Sequence, residues 1–238
     1  IVRRAVDDIE AKSCVRFEEI DDYPLDNTPY IVYIKENYAT FCGLSNVGRT
    51  GIENPIWLNF ACEDQILGTT IHETLHTLGM DHEHIRYDRD QFIELDRENL
   101  DPQALDLYEY GDFDSYTSYG IKYDYYSIMH YSAYLATLDH TKPGLKALDG
   151  LTKFNTELLG QRLGMSDSDS LKLSRMYCSP DCDDSEVYCG WWATEGYCTA
   201  YPTSMIPYCP KSCGMCPHGA NLVAEALVGL TNFDTPSF

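Results

Sequence analysis

The chain has 238 residues and carries 17 basic against 38 acidic side chains, which gives a formal net charge of −21. A protein this acidic repels phosphate backbones and anionic lipid headgroups, so binding to nucleic acid or to an anionic membrane surface is excluded as its function. Hydrophobic residues make up 44% of the chain, enough for a folded core, and no apolar run reaches the ~18 residues of a membrane span. We therefore expect a folded, acidic protein with no membrane-spanning segment.

Apolar residues at helical spacing predict an amphipathic helix over residues 1–12. Two short β-type runs follow at residues 14–17 and 30–34, separated by a turn region of Pro, Asp and Asn residues. Residues 47–60 indicate further strand and hairpin structure, interrupted by glycine and proline. The first part of the chain is therefore predicted to be a small sheet preceded by a helix.

A second helix is predicted over residues 68–78, because Ile71, Leu75 and Leu78 lie on one helical face. Residues 90–120 are polar and aromatic and have only a weak helical pattern. The middle of the chain is therefore expected to be irregular once this helix ends.

A last helix is predicted from Ser166, which is followed three residues later by Asp169. This spacing is similar to a capping box, in which the two side chains satisfy free N–H groups at the start of a helix. The apolar residues Leu173, Met176 and Tyr177 then share one face of that helix.

Ten cysteines, an even and high number, predict disulfide bonds and hence a secreted or luminal protein. Four are spread over the first three quarters of the chain, whereas six fall between Cys182 and Cys216. Sparse cysteines staple a domain with its own core, whereas dense cysteines replace a core that a short segment cannot build. We therefore expect a larger domain over 1–178, a disulfide-rich module over 182–216, and a tail over 217–238 with no assigned role.

The second predicted helix carries the residues that point to chemistry. Residues four apart lie one turn above each other, so the imidazoles of His72 and His76 point the same way and can share one cation. Glu73 can take a proton from water on that cation without being a ligand. Gly79 permits a left-handed turn, after which His82 completes a three-histidine site. The whole string is the H-E-x-x-H-x-x-G-x-x-H pattern of zinc peptidases.

Two further segments give this pattern a family resemblance. Residues 82–90 read HEHIRYDRD, and residues 127–131 read SIMHY, which is similar to a Met-turn. With the zinc pattern, these segments resemble the astacin family of zinc metalloendopeptidases, which are metzincins. The resemblance covers residues 1–178 and implies an α+β catalytic domain of two subdomains. A small twisted sheet and the zinc helix would form the part over about 1–82, and a cleft would separate it from 83–178.

The resemblance implies a secreted zinc-dependent endopeptidase that hydrolyses protein or peptide substrates with one Zn²⁺ per catalytic domain. His72, His76 and His82 would be the metal ligands. Tyr131 would be a displaceable further ligand whose hydroxyl stabilises the tetrahedral intermediate. Glu73 would be the general base.

Other parts of the family pattern concern the surroundings of this site. Met129 would form a hydrophobic floor beneath the metal, and Glu83 would lie in a buried network that contacts the mature N-terminus. Astacins carry a first strand before the helix that begins here at Ile1, so the resemblance implies that the true N-terminus and any propeptide lie upstream. Residues 42–49 resemble the upper rim of the astacin cleft, where a substrate can add as an antiparallel strand.

The six clustered cysteines end in Cys-x3-Cys-x2-Cys, and their spacing resembles a ShKT domain. Spacing alone leaves the pairing open. The two resemblances together imply the pairs Cys182–Cys216, Cys189–Cys209, Cys198–Cys213, Cys14–Cys178 and Cys42–Cys62. An ion pair between Asp184 and Lys211 is also implied.

A ShKT module suggests potassium-channel block as a function from another class. Pore-blocking relatives present a Lys-Tyr pair where this chain has Ile206 and Pro207. The module is also acidic, which is the wrong charge for the mouth of a cation pore. A catalytically dead scaffold is a second alternative, but every expected catalytic residue is present. A role of the module in substrate or extracellular-matrix contact stays open.

Overall fold

The structure is a computed structural model that describes residues 1–22, 24, 26–37, 40–111, 118–119, 121–178, 184–201, 205, 208–209, 211–213 and 225–231, with the backbone alone at 199 and 225–231. Its helices are α1 (Val2–Lys12), α2 (Ile66–Thr77), α3 (Thr152–Leu158), α4 (Asp167–Tyr177), α5 (Cys189–Thr194) and α6 (Tyr197–Ala200). Its strands are β1 (Arg16–Ile20), β2 (Tyr30–Glu36), β3 (Gly43–Ser45), β4 (Glu53–Asn59), β5 (Ile93–Leu95), β6 (Leu145–Ala147) and β7 (Glu225–Thr231). This mixture confirms the predicted α+β class.

A five-stranded central sheet packs with helices α1 and α2, and four of its strands come from the first part of the chain. The strand order is β1-β7-β2-β4-β3, and all neighbours are parallel except β3, which runs antiparallel to β4 at one edge. Helix α1 buries Val2, Ala5 and Ile9, which lie three and four residues apart as an amphipathic helix requires. The predicted helices over 1–12 and 68–78 are therefore confirmed, the second one beginning earlier, at Ile66.

Strand β7 was not expected, because residues 217–238 carried no assigned role. Its backbone lies between β1 and β2 and runs parallel to both, with Val228 opposite Glu19 on one side and Ile31 on the other. Pairing between segments this distant in sequence leaves no local pattern from which a register could be read. The C-terminal segment thus supplies an inner strand of the central sheet.

The second part of the domain is mostly irregular, as expected. Strands β5 and β6 form a two-stranded antiparallel sheet, and single-turn or short 3-10 helices cover Glu83–Ile85, Arg89–Gln91 and Pro102–Tyr108. A separate core supports this part and consists of Ile93, Leu100, Tyr108, Tyr123, Ala133, Leu145 and Leu159. Helix α4 begins with the predicted capping box, in which the side chains of Ser166 and Asp169 and the two backbone N–H groups are paired reciprocally.

Disulfides close both regions of the chain. The described bonds join Cys14 to Cys178, Cys42 to Cys62, Cys189 to Cys209 and Cys198 to Cys213, which are pairs that the two resemblances imply. Cys182 and Cys216 lie outside the described residues. Asp184 accepts hydrogen bonds from the backbone and hydroxyl of Ser212, and its ion pair with Lys211 stays a prediction. Among the helices that the structure describes, none has the length and apolarity to cross a membrane.

Candidate active site

Helix α2 and the turn after it position the histidine cluster, which we define as His72, His76 and His82. Both helical histidines are buried, at 4% exposure each. The helix ends at Thr77, and Gly79 then adopts a φ of +95°, in the left-handed region that favours glycine. This turn returns the chain so that His82 comes back over the helix.

The three side chains of the histidine cluster converge on one point. One ligand atom from each lies within 4.8 Å of the others, and the Nε2 atoms of His76 and His82 are 3.0 Å apart. Tetrahedral coordination with Zn–N bonds near 2.0–2.1 Å places ligand nitrogens about 3.3 Å apart. The spacing of the cluster therefore fits a single metal ion.

The protonation of the histidines also fits a metal. The Nδ1 atoms of His72 and His76 donate to the backbone carbonyls of Ile128 and Met80, both at 2.7 Å. Because a carbonyl only accepts, each ring carries its proton on Nδ1 and directs the lone pair of Nε2 into the cluster. Burial lowers the pKa of His76 to about 4 and that of His72 well below its ordinary value, so both rings are neutral at neutral pH.

The carboxylate of Glu73 lies beside this cluster, between α2 and the edge strand β3. The hydroxyl of Ser45 donates to its Oε2 at 2.6 Å. A Cβ built on Gly43 would lie 2.7 Å from Oε1 of the same carboxylate, so only glycine lets the β3 backbone approach this closely. Burial raises the pKa of Glu73 to about 7, against the opposing effects of the Ser45 hydrogen bond and the positive charge of Arg162.

The segment around the predicted Met-turn reaches the same place. Met129 is fully buried and packs in the core that contains Leu75 of the zinc-motif helix. The ring of Tyr131 lies with its centroid 4.4 Å from that of His82, in an edge-on arrangement. The structure therefore brings Tyr131 and the histidine cluster together.

Glu83, next to the last histidine of the cluster, is enclosed in a network of charges. Its Oε1 accepts from Arg86 at 2.9 Å and from the backbone N–H of Asp124 at 3.1 Å, and its Oε2 lies 3.8 Å from the ammonium of Lys172. Burial raises the pKa of Glu83 and lowers the pKa of Lys172, and the charge of each group opposes the shift of the other. The network thus joins helix α4 to the segment that carries His82.

Comparisons with known proteins assign this architecture. A sequence profile of the Astacin peptidase family matches residues 1–178. The chain belongs to the astacin family. A second profile, ShK domain-like, matches residues 181–216. Both resemblances drawn from the sequence are confirmed.

Individual relatives agree with this assignment. Zinc metalloproteinase nas-11 of Caenorhabditis elegans is 44% identical over 220 residues, which are 92% of this chain and 37% of the relative. Zinc metalloproteinase nas-8 of Steinernema carpocapsae is 32% identical over 199 residues, 82% of this chain and 44% of the relative. The solved structure of High choriolytic enzyme 1, a hatching enzyme zinc-protease from the medaka fish Oryzias latipes, aligns with a TM-score of 0.60 and 26% identity, covering 73% of this chain and 78% of that one. The chain spans about two fifths of the length of the first curated relatives.

Two side chains of this astacin domain that sequence reasoning did not select lie close to Glu73. Ser45 belongs to the predicted rim segment, but its hydrogen bond to the carboxylate had no signal in the sequence. Arg162 is the second: its guanidinium donates to the backbone carbonyls of Ile128 at 3.0 Å and His130 at 3.3 Å. Its position follows a glycine turn far along the chain, so no local pattern connects it with the zinc motif.

Proposed function

We propose that this astacin domain is a secreted zinc-dependent endopeptidase that hydrolyses peptide bonds of protein substrates, with Glu73 as general base. The observation that carries the proposal is the convergence of three imidazoles beside a buried carboxylate. Membership of a peptidase family and relatives named zinc metalloproteinases support it. Disulfides in both regions of the chain support an oxidising, extracellular location.

The histidine cluster would hold the zinc ion, which when bound supplies an acidified water and polarises the scissile carbonyl. Ser45 donates to Oε2 of Glu73 and so holds the carboxylate that would take the proton of the attacking water. A buried carboxylate at this position can first accept this proton and later return it to the leaving amine. Tyr131 would donate its hydroxyl to the oxygen that becomes negative in the tetrahedral intermediate.

Substrate would lie in the cleft between residues 1–82 and 83–178, along strand β3. This strand pairs only with β4 in the described sheet and forms its edge. An edge strand can bind an extended peptide through main-chain hydrogen bonds as one more antiparallel strand. This binding mode would bring the scissile bond close to Glu73, because Gly43 and Ser45 of β3 both lie against that carboxylate. Contact of the ShK module with substrate or extracellular matrix stays a prediction.

The test is cleavage of a library of internally quenched peptides by the zinc-loaded chain, with and without a chelator. We expect cleavage that the chelator abolishes and added Zn²⁺ restores. Glu73→Gln should bind zinc with unchanged stoichiometry and lose about 10²- to 10⁴-fold in kcat, the usual contribution of a general base. Glu63→Gln is the matched control, because Glu63 is exposed and lies just before the same helix.

Two results would overturn the proposal at different levels. A zinc-loaded chain that cleaves no peptide in the library would remove the endopeptidase function. A Glu73→Gln variant with the turnover of the Glu63→Gln control would leave the function in place and remove the assignment of Glu73 as base.

A further inference from the structure

His84 lies two residues beyond the histidine cluster and is not one of the proposed metal ligands. It belongs to the 3-10 turn Glu83–Ile85, and its side chain is completely buried. Its ring stacks on the ring of Tyr131, with centroids 3.8 Å apart and planes inclined by 23°. His82 contacts the same phenol ring edge-on at 4.4 Å. The ring of Tyr131 therefore contacts two imidazoles, the stacked ring of His84 and the edge-on ring of His82.

The hydrogen bonds of His84 fix the ring and leave one atom unsatisfied. Its Nε2 donates to the backbone carbonyl of Leu107 at 3.0 Å, so Nδ1 carries a lone pair. Among buried side-chain nitrogen and oxygen atoms in the described part of the chain, this Nδ1 alone has no hydrogen-bond partner. An unsatisfied buried acceptor is destabilising. The ring is therefore held by one hydrogen bond and by packing, which includes the stacked face of Tyr131.

The function of Tyr131 makes the position of its ring important. The hydroxyl sits at the far end of a side chain with two rotatable bonds, and a small rotation displaces it from the oxygen that it must reach. A rigid aromatic face restricts that rotation, because offset-stacked rings are preferred over splayed ones. The ring of His84 is itself immobilised by burial and by the Leu107 carbonyl, so it can serve as a fixed support.

We infer that His84 is a positioning residue that supports the phenol ring of Tyr131 beside the histidine cluster and so limits the positions that its hydroxyl can take. The inference rests on the role of Tyr131 in the proposed function. It requires of residue 84 a flat aromatic face and not the basicity of an imidazole, and the hydrogen bond to Leu107 helps to keep that face in place.

The test compares two replacements of similar size, His84→Phe and His84→Leu, each alone and in a Tyr131→Phe background. All variants are assayed as the zinc-loaded chain on one quenched peptide, with kcat and KM measured separately. His84→Leu fills the space without a flat face and should lower kcat about threefold to tenfold, the effect of one aromatic pair, with KM unchanged. His84→Phe keeps the face and should retain kcat within about twofold. In the Tyr131→Phe background, His84→Leu should cause no further loss.

The outcomes separate positioning from a purely structural role. An equal loss of kcat in both backgrounds would show that His84 does not act through Tyr131 and would overturn the inference. Equal kcat for the Leu and Phe variants would do the same. A Tyr131→Phe enzyme with full kcat would remove the role of Tyr131 and this inference with it, while the Glu73→Gln test of the proposed function would be unaffected. Zinc content and near-UV circular dichroism show that each variant is folded and loaded.

Discussion

The ion pair between Lys172 and Glu83 allows a sharp test of how burial governs the strength of a charge pair in this fold. Both side chains are only 5% exposed, and the ammonium lies 3.8 Å from Oε2 of Glu83. Replacing Lys172 by methionine keeps most of the apolar stem and removes the charge. Glu83 would keep its ion pair with the guanidinium of Arg86, but that group also donates a hydrogen bond to Asp88 at 2.8 Å. One positive charge would then face two carboxylates.

The expected loss follows from the geometry. At 3.8 Å and an effective dielectric constant of about 20, two unit charges attract by about 4 kcal/mol. Removing one partner of a buried pair typically costs about 3–5 kcal/mol, because the other charge stays in the interior. Arg86 offsets part of this, so we expect Lys172→Met to lower the free energy of unfolding by about 3 kcal/mol. For a chain of this size, that loss corresponds to a fall of about 6–12 °C in Tm.

The measurement is guanidinium and thermal unfolding, followed by fluorescence with the disulfides intact. Lys142→Met is the matched control: its ammonium lies closer to a carboxylate, 3.0 Å from Asp139, but the Lys142 side chain is 69% exposed. Solvent screens such a pair, so the control should unfold like the parent chain. The closer pair, Lys142 with Asp139, is thus expected to contribute less to stability than the more distant pair, Lys172 with Glu83.

A double variant refines the result. Adding Glu83→Gln to Lys172→Met removes the buried carboxylate that has lost one of its two cations. The double variant should therefore be more stable than the sum of the two single losses predicts. If Lys172→Met is no less stable than Lys142→Met, or if the two losses simply add, the conclusion that burial makes this pair strong is wrong.

Two further predictions concern the backbone. Gly79→Ala should lower the free energy of unfolding by about 1–2 kcal/mol, because the residue has a φ of +95°. Gly150→Ala is the control and should unfold like the parent, because nothing lies within 4 Å of the added carbon. Coincident urea midpoints for the two variants would contradict this prediction. Truncation after Cys216 removes β7 from the middle of the sheet. The amides of β1 and β2 should then exchange hydrogen faster than in a control chain truncated after Thr231. Equal exchange rates in the two truncated chains would show that β7 does not support the sheet.

The parts of the fold that sequence could predict are those set by local geometry. The helical repeat alone places His72 and His76 on one face, and the left-handed turn at Gly79 needs only a glycine in the right place. The capping box at Ser166 is equally local, and it starts helix α4 at the expected residue. In each case the interacting groups are a few residues apart, so the sequence pattern is enough to predict the local structure.

The parts that sequence could not predict depend on segments that meet only in the folded chain. Strand β7 pairs with β1 and β2 across about two hundred residues, and an apolar run in a tail does not specify which strands it will join. Ser45 of the rim strand donates to Glu73, and the charge of Arg162, which follows a glycine turn, lowers the pKa of the same carboxyl; neither residue type is distinctive at its position in the sequence. The stacking of His84 on Tyr131 could not be predicted either, because stacked rings follow no fixed spacing along the chain.

The capping box of α4 shows how a local signal acquires a distant consequence. Asp169 accepts from the Ser166 N–H within the box, and also from the hydroxyl of Ser127 at 2.6 Å and the backbone N–H of Ile128 at 2.9 Å. The carbonyl of Ile128 in turn accepts from Nδ1 of His72 and so fixes the tautomer of that ring. One carboxylate therefore starts a helix and, through a single residue of the Met-turn segment, orients one of the proposed metal ligands. This linkage joins a histidine cluster whose members lie close together in sequence to helix α4, which ends next to the Cys14–Cys178 disulfide.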